Sequence, residues 1–269
     1  MDLLGYSMEA DMFNIKLEHF TPPKLNDLLP STREKLRASE SSFFSYHADD
    51  IDKSYAVKNA LANIPSGYLV KLKHRLSENY MARQIDRKTP ERTSDEVKLI
   101  SGFSMSYKEV ITRGDFNAFL AFLIDWSGVI NNRNIGIRNV PMKSSPDSEG
   151  CYVKYIEHEH LADGMRKVWG IMLNAPYHCL FSAVVSSVML LAYHPFIDGN
   201  GRFSRLLMNA MLSRDKESYI PFYDVYHQSQ GGYFIRLRQA QLFLEWDEII
   251  VFHCHILDFL TSGYSNSSQ

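Results

Sequence analysis

The sequence predicts a mainly α protein: a helical bundle with one small β-hairpin and additional helices ahead of it. Three observations carry that expectation. Over 269 residues, 45% are hydrophobic and 22% charged, a globular composition with enough apolar residues for a sizeable core. Apolar residues recur at helical spacing along most of the chain, between Pro, Gly and capping signals. The texture changes only at 129–156, where Asn, Gly, Pro and Ser mix with β-branched residues.

Up to about Phe20 there is no clear period, so the opening segment reads as loosely held. Ser31 or Thr32 caps a helix over 33–47, and further helical stretches cover 52–63 and 68–85. Thr93 to Glu96 spells a capping box, a hydroxyl residue followed three positions on by a glutamate, ahead of Val97, Leu99 and Ile100. Residues 116–126 form a strongly apolar helix. Residues 135–142 and 151–156 form two strands around a polar turn. Helical texture then resumes over 157–173, 179–193, 202–213, 228–241 and 246–260. The 179–193 run is too short to span a membrane, which needs about 20 apolar residues, so it is a buried core helix. The domain organisation expected is an N-terminal helical region, 1–94, and a core domain, 95–269.

Lys and Arg total 29 against 31 Asp and Glu, a formal charge of -2. That balance argues against a nucleic-acid partner. Cys151, Cys179 and Cys254 are odd in number and far apart, which suits a reducing compartment better than a disulfide framework. The N-terminus lacks a basic signal region and no membrane segment is expected, so a cytoplasmic location is the default.

The chemistry concentrates in His194-Pro195-Phe196-Ile197-Asp198-Gly199-Asn200-Gly201-Arg202-Phe203-Ser204-Arg205. Pro195 ends the buried helix near His194. Gly199, Asn200 and Gly201 suit left-handed backbone, so their N–H groups can form a nest at the start of the next helix, and both features bind phosphate. Arg202 and Arg205 sit where cations oppose the helix dipole, an unfavourable placement unless an anion compensates. Asp198 is a hard oxygen ligand suited to Mg²⁺ on phosphates. His194 has the ordinary pKa of a general base. A calcium loop is ruled out, because Phe203 and Asn209 stand where Gly and Glu are needed. No Gly-Lys-Ser/Thr follows either, so this is not a P-loop.

This segment matches the HPFx[D/E]GNGRxxR signature in full, and the chain resembles Fic-domain proteins over roughly residues 95–260, more weakly before. The resemblance implies a Fic fold and a protein AMP transferase, moving AMP from ATP to a Ser, Thr or Tyr hydroxyl and releasing pyrophosphate. It implies roles residue by residue: His194 as base, Phe196 as loop anchor and Asp198 as the Mg²⁺ ligand. Gly199, Asn200 and Gly201 would form the anion hole, with Arg202 on the β-phosphate and Arg205 on the γ-phosphate. The hairpin, from about Arg138 to Val153, resembles the flap that holds the target protein by strand addition. Many relatives carry an inhibitory glutamate that pairs with the second arginine of the motif; Asp86, Glu78 and Glu149 are the candidates compared with it. A homodimer is left open. The alternative is a nucleotide-binding regulatory or interaction module without transferase activity, or transfer of another phosphate-containing group.

The His253-Cys254-His255 and His158-Glu159-His160 runs are discounted as metal sites, because helical i and i+2 side chains do not share a face.

Overall fold

The computed structural model describes residues 15–45, 90–145, 152–175, 179–229 and 231–262. The helices expected at 52–63 and 68–85, the candidates Asp86, Glu78 and Glu149, and the hairpin tip lie outside the described residues. Nine α-helices are found among the described residues: α1 (Pro30–Ser45), α2 (Pro90–Arg113), α3 (Phe116–Asn131), α4 (Leu161–Leu173), α5 (Cys179–Tyr193), α6 (Asn200–Met211), α7 (Phe222–Gln228), α8 (Gly232–Phe243) and α9 (Asp247–Ser262). Two short strands accompany them, β1 (Ile15–Lys16) and β2 (Val153–Lys154). The protein is mainly α, as the sequence predicts.

The core is built around α5, where all positions but Cys179 and Leu191 are buried. Helices α6, α4, α8, α9 and α1 pack on it, and α2 lies along α6 and α3. No helix among the described residues is long and apolar enough to cross a membrane. Helix α1 begins with Pro30, whose missing N–H costs nothing in a first turn. The N–H of Leu29 just before it donates to Asp247 Oδ1 at 2.9 Å, and Lys35 pairs with Asp258, so α1 is fixed to α9. Glu40 accepts the Leu180 N–H at 2.6 Å, a carboxylate at the amino end of α5. The boundary expected at residue 94 falls inside α2, and α1 shares one hydrophobic cluster with the later helices.

Helix α2 starts at Pro90, so Thr93 lies inside its first turn and does not precede the helix. Glu96, expected at the helix start, is turned into the interior from within α2. Helix α3 does have a side-chain cap: Asp115 accepts from the N–H groups of Asn117 and Ala118 at 3.1 and 3.2 Å.

Among the described residues the hairpin pairing is one antiparallel bridge, Lys143 to Lys154, flanked by Ser144 N–H to Val153 O and Tyr155 N–H to Met142 O. Residues 135–142 form no strand: Met142 joins the bridge pairing, but the Arg138 N–H donates instead to Pro195 O at 2.8 Å. The other edge of β2 is taken by β1 in parallel register, Ile15 opposite Val153. Residues 15–20 are thus held: Leu17 and Phe20 are buried in the core. A two-residue strand is too short for its alternation to show in the sequence.

Candidate functional site

The loop between α5 and α6 is drawn together by its own residues. His194 leaves α5 in left-handed backbone, φ 50°, and Gly199 repeats that geometry at φ 83°. A side chain at 199 would be strained, and its Cβ would stand 2.6 Å from Asn131 Nδ2. Phe196 is buried against Phe203, ring centroids 5.3 Å apart, and Phe203 in turn meets Phe103 and Phe122. Phe196 therefore serves the loop from the core. The Asn200 carboxamide closes on the Phe196 backbone from both sides, accepting from its N–H at 3.0 Å and donating to its carbonyl at 2.7 Å. In helix α6 the first N–H to bond back is that of Phe203, to Gly199 O at 2.9 Å. The N–H groups of Asn200, Gly201 and Arg202 precede the ladder, as an anion-binding helix terminus requires.

Each arginine of the loop has an internal counterpart, which answers the dipole argument without an external anion. Arg202 donates to Ile130 O and Asn131 Oδ1, both at 2.7 Å, at the carboxyl end of α3 where a cation is favoured. Its guanidinium also lies 3.7 Å from Asp198. Arg205 is held by Glu96: Nε lies 3.1 Å from both carboxylate oxygens and a terminal nitrogen closes the pair. Tyr219 donates its hydroxyl to Glu96 Oε2 at 2.6 Å. Burial opposes the Arg205 charge, but Glu96 outweighs it and holds the guanidinium above its ordinary pKa. Burial, with Glu96 adding to it, pushes the Tyr219 phenol well up. Sequence reasoning missed Glu96. Its signal was position: 96, 100, 103, 107 and 110 form one helical stripe whose other members are the buried Ile100, Phe103, Tyr107 and Val110.

Asp198 is exposed, with 59% of its side chain open to solvent. Its Oδ1 accepts from the Gly199 N–H at 2.6 Å, and Oδ2 stands 3.9 Å from Arg133. One accessible carboxylate beside free helix-terminal N–H groups fits Mg²⁺ that keeps waters and binds through phosphates. Among the described residues one other group could ligate a metal, Glu157, His158 and Glu159, three neighbours in sequence. His253 is no ligand: it is buried, with Nε2 2.9 Å from the Tyr226 hydroxyl and Nδ1 2.8 Å from Ile249 O.

His194 and Arg205 line one cavity of about 290 Å³, with Tyr155, Tyr223, Tyr233 and Arg238 among its other walls. His194 Nδ1 faces Leu191 O at 3.4 Å; a carbonyl only accepts, so this contact favours the proton on Nδ1 and the lone pair on Nε2. Burial pushes the imidazole down to about 4. Arg205 lies over the Tyr223 ring, 4.9 Å from its centroid. The cavity thus joins a neutral imidazole, aromatic walls, guanidinium groups and a helix amino terminus.

Residues 136–212 match the model of the Fic/DOC family. No curated protein matches the chain. Among solved structures, the chain is similar to a Fic family protein from Desulfovibrio desulfuricans G20, with a TM-score of 0.57 and 17% identity over 93% of this chain and 78% of that one. At that identity the likeness concerns the fold.

Proposed function

The chain is a Fic-domain protein, its motif loop and the helices on either side lying within residues 136–212, and on that premise we propose that it is a protein AMP transferase. The observation that carries the reading is His194, a half-buried neutral imidazole on the wall of an aromatic cavity that also reaches the first turn of α6. A base has no part in mere nucleotide binding. In this reading the cavity takes the nucleotide of ATP, and the N–H groups of Asn200, Gly201 and Arg202 neutralise phosphate charge. Asp198 would hold Mg²⁺, which supplies further charge neutralisation at the phosphates. The hydroxyl oxygen of the target attacks the α-phosphorus, its proton passes to His194 Nε2, and the bond to pyrophosphate breaks. The product is an AMP ester of the target side chain.

The target segment would lie along the outer edge of the hairpin. Met142 and Ser144 direct their bonding groups to β2, so the N–H and C=O of Lys143 between them point the other way, available for strand addition. The Glu96–Arg205 pair supports a resting state in which the arginine expected on the γ-phosphate is already engaged.

The test is labelling of protein from ATP carrying the isotope in its α-phosphate, with Mg²⁺ and a cell lysate. Label is expected with the wild type. His194→Ala should abolish labelling while calorimetry still detects ATP binding. Labelling at the wild-type rate by that variant would falsify the mechanism. ATP binding without any label from the wild type would favour a nucleotide-binding module.

A further inference from the structure

We propose that Tyr155 is a positioning residue for His194, holding the imidazole in its working orientation from the segment just after β2. The two rings stack with centroids 3.7 Å apart and planes 13° from parallel, and both line the cavity. His194 needs such support. It follows the last residue of α5, in left-handed backbone, and the Nδ1 to Leu191 O contact of 3.4 Å is too long to fix a ring. A flat partner in contact with one imidazole face stops rotation about the ring's own axis and leaves the edge with Nε2 for the cavity.

The support is itself anchored. Tyr155 N–H bonds Met142 O at 3.0 Å, and Ile156 N–H bonds Ala192 O at 3.3 Å. Buried Arg138 then ties both sides together. Its guanidinium donates to Ile156 O, to Tyr193 O at 2.8 Å and to His194 O at 2.7 Å. The carbonyls flanking both rings are thus gripped by one side chain. Tyr155 directly follows β2, the strand paired to the edge proposed for the target, so target and base are referred to the same short ladder. The stack also keeps water from one imidazole face. The charged groups that act on that imidazole are Arg138 and Arg238, which disfavour its protonation, and Asp198, which favours it.

The inference rests on His194 being the base, and its test separates the two ideas. Tyr155→Leu should lower kcat for labelling about tenfold or more, as small misplacements of reacting groups do, with the loss on kcat more than on KM for ATP. It should also move the acid limb of the rate profile upward, because water reaches the ring. Tyr155→Phe restores the stack and should recover most of the loss. Proton NMR of the His194 ring, assigned with His194→Ala, needs no activity. In the wild type its signals should be shifted by the Tyr155 ring current and titrate well below 6.5; in Tyr155→Leu both properties should revert. If no target is ever labelled, the transferase reading fails while the titration still judges the stack. An unmoved titration together with wild-type kcat in Tyr155→Leu overturns the proposal. So does a Tyr155→Phe variant as slow as Tyr155→Leu, which would assign the effect to the phenol oxygen.

Discussion

At the scale of single residues, the pH response of the site follows from where His194 sits. In the proposed reaction His194 works in its neutral form, and burial pushes this imidazole down to about 4. The labelling rate should therefore stay flat as pH falls from 7 to about 5 and drop by half near 4, whereas an exposed histidine would lose half its activity near 6.5. Rate profiles at saturating ATP check this. Glu96 makes opposing demands. Glu96→Ala leaves Arg205 charged in the interior without its partner, and breaking a buried pair costs about 3–5 kcal/mol. The same change frees Arg205 for a phosphate. The variant is expected to melt earlier yet bind ATP more tightly, so saturating ATP should raise its Tm by more than it raises that of the wild type. Equal ATP affinities in calorimetry would mean that Glu96 only supports the core.

Among the elements, the contact between α4 and α5 has the least slack. A methyl group at Gly164 would come within 2.2 Å of the Tyr193 ring, the residue directly before His194. Tyr193 cannot swing aside, because its hydroxyl meets His19 Nδ1 at 2.7 Å. Gly164→Ala should cost about 1–3 kcal/mol by overpacking. At about 2–4 °C per kcal/mol the Tm loss is readable by calorimetry, and labelling should fall with it. Much of this level was legible in the sequence. Long apolar runs announced α3, α5 and α9, and the loop between α5 and α6 was anticipated, although Asn200 and Gly201, expected in left-handed backbone, open α6 and only Gly199 of the three takes a positive φ. What stayed hidden depended on partners far along the chain. Glu96 follows a threonine at capping-box spacing, and only the course of α6 reveals that it faces Arg205. Residues 135–142 carry strand-like alternation, but Arg138 spends the local hydrogen-bonding groups on the 193–195 loop. Strand β1 exists only because β2 offers it an edge.

For the molecule as a whole, histidines shielded from water set a limit on the acid side. Burial pushes His253, like His194, down to about 4, while in the unfolded chain a histidine titrates near 6.5. Folded pKa values below the unfolded ones mean that the unfolded chain takes up protons that the folded one refuses. Stability from these groups is therefore intact above about pH 6.5 and is lost progressively down to about 4. At about 1.4 kcal/mol per pKa unit, His253 alone should withdraw about 3 kcal/mol across that window. Urea midpoints at pH 7.5, 5.5 and 4.5 should fall in order, and His253→Gln should flatten the fall. The pairing of α1 with α9 has a consequence of a different kind. Leu29 meets Asp247 and Lys35 meets Asp258, contacts that span 218 and 223 residues. A ribosome adding about 5–20 residues per second needs about 10–40 s to pass from one helix to the other. Throughout that interval the apolar side of α1, with Leu36 and Phe43, waits without its partner, so nascent chains stalled before α9 should be captured by chaperones and cleaved by protease within α1, and chains released after α9 should not.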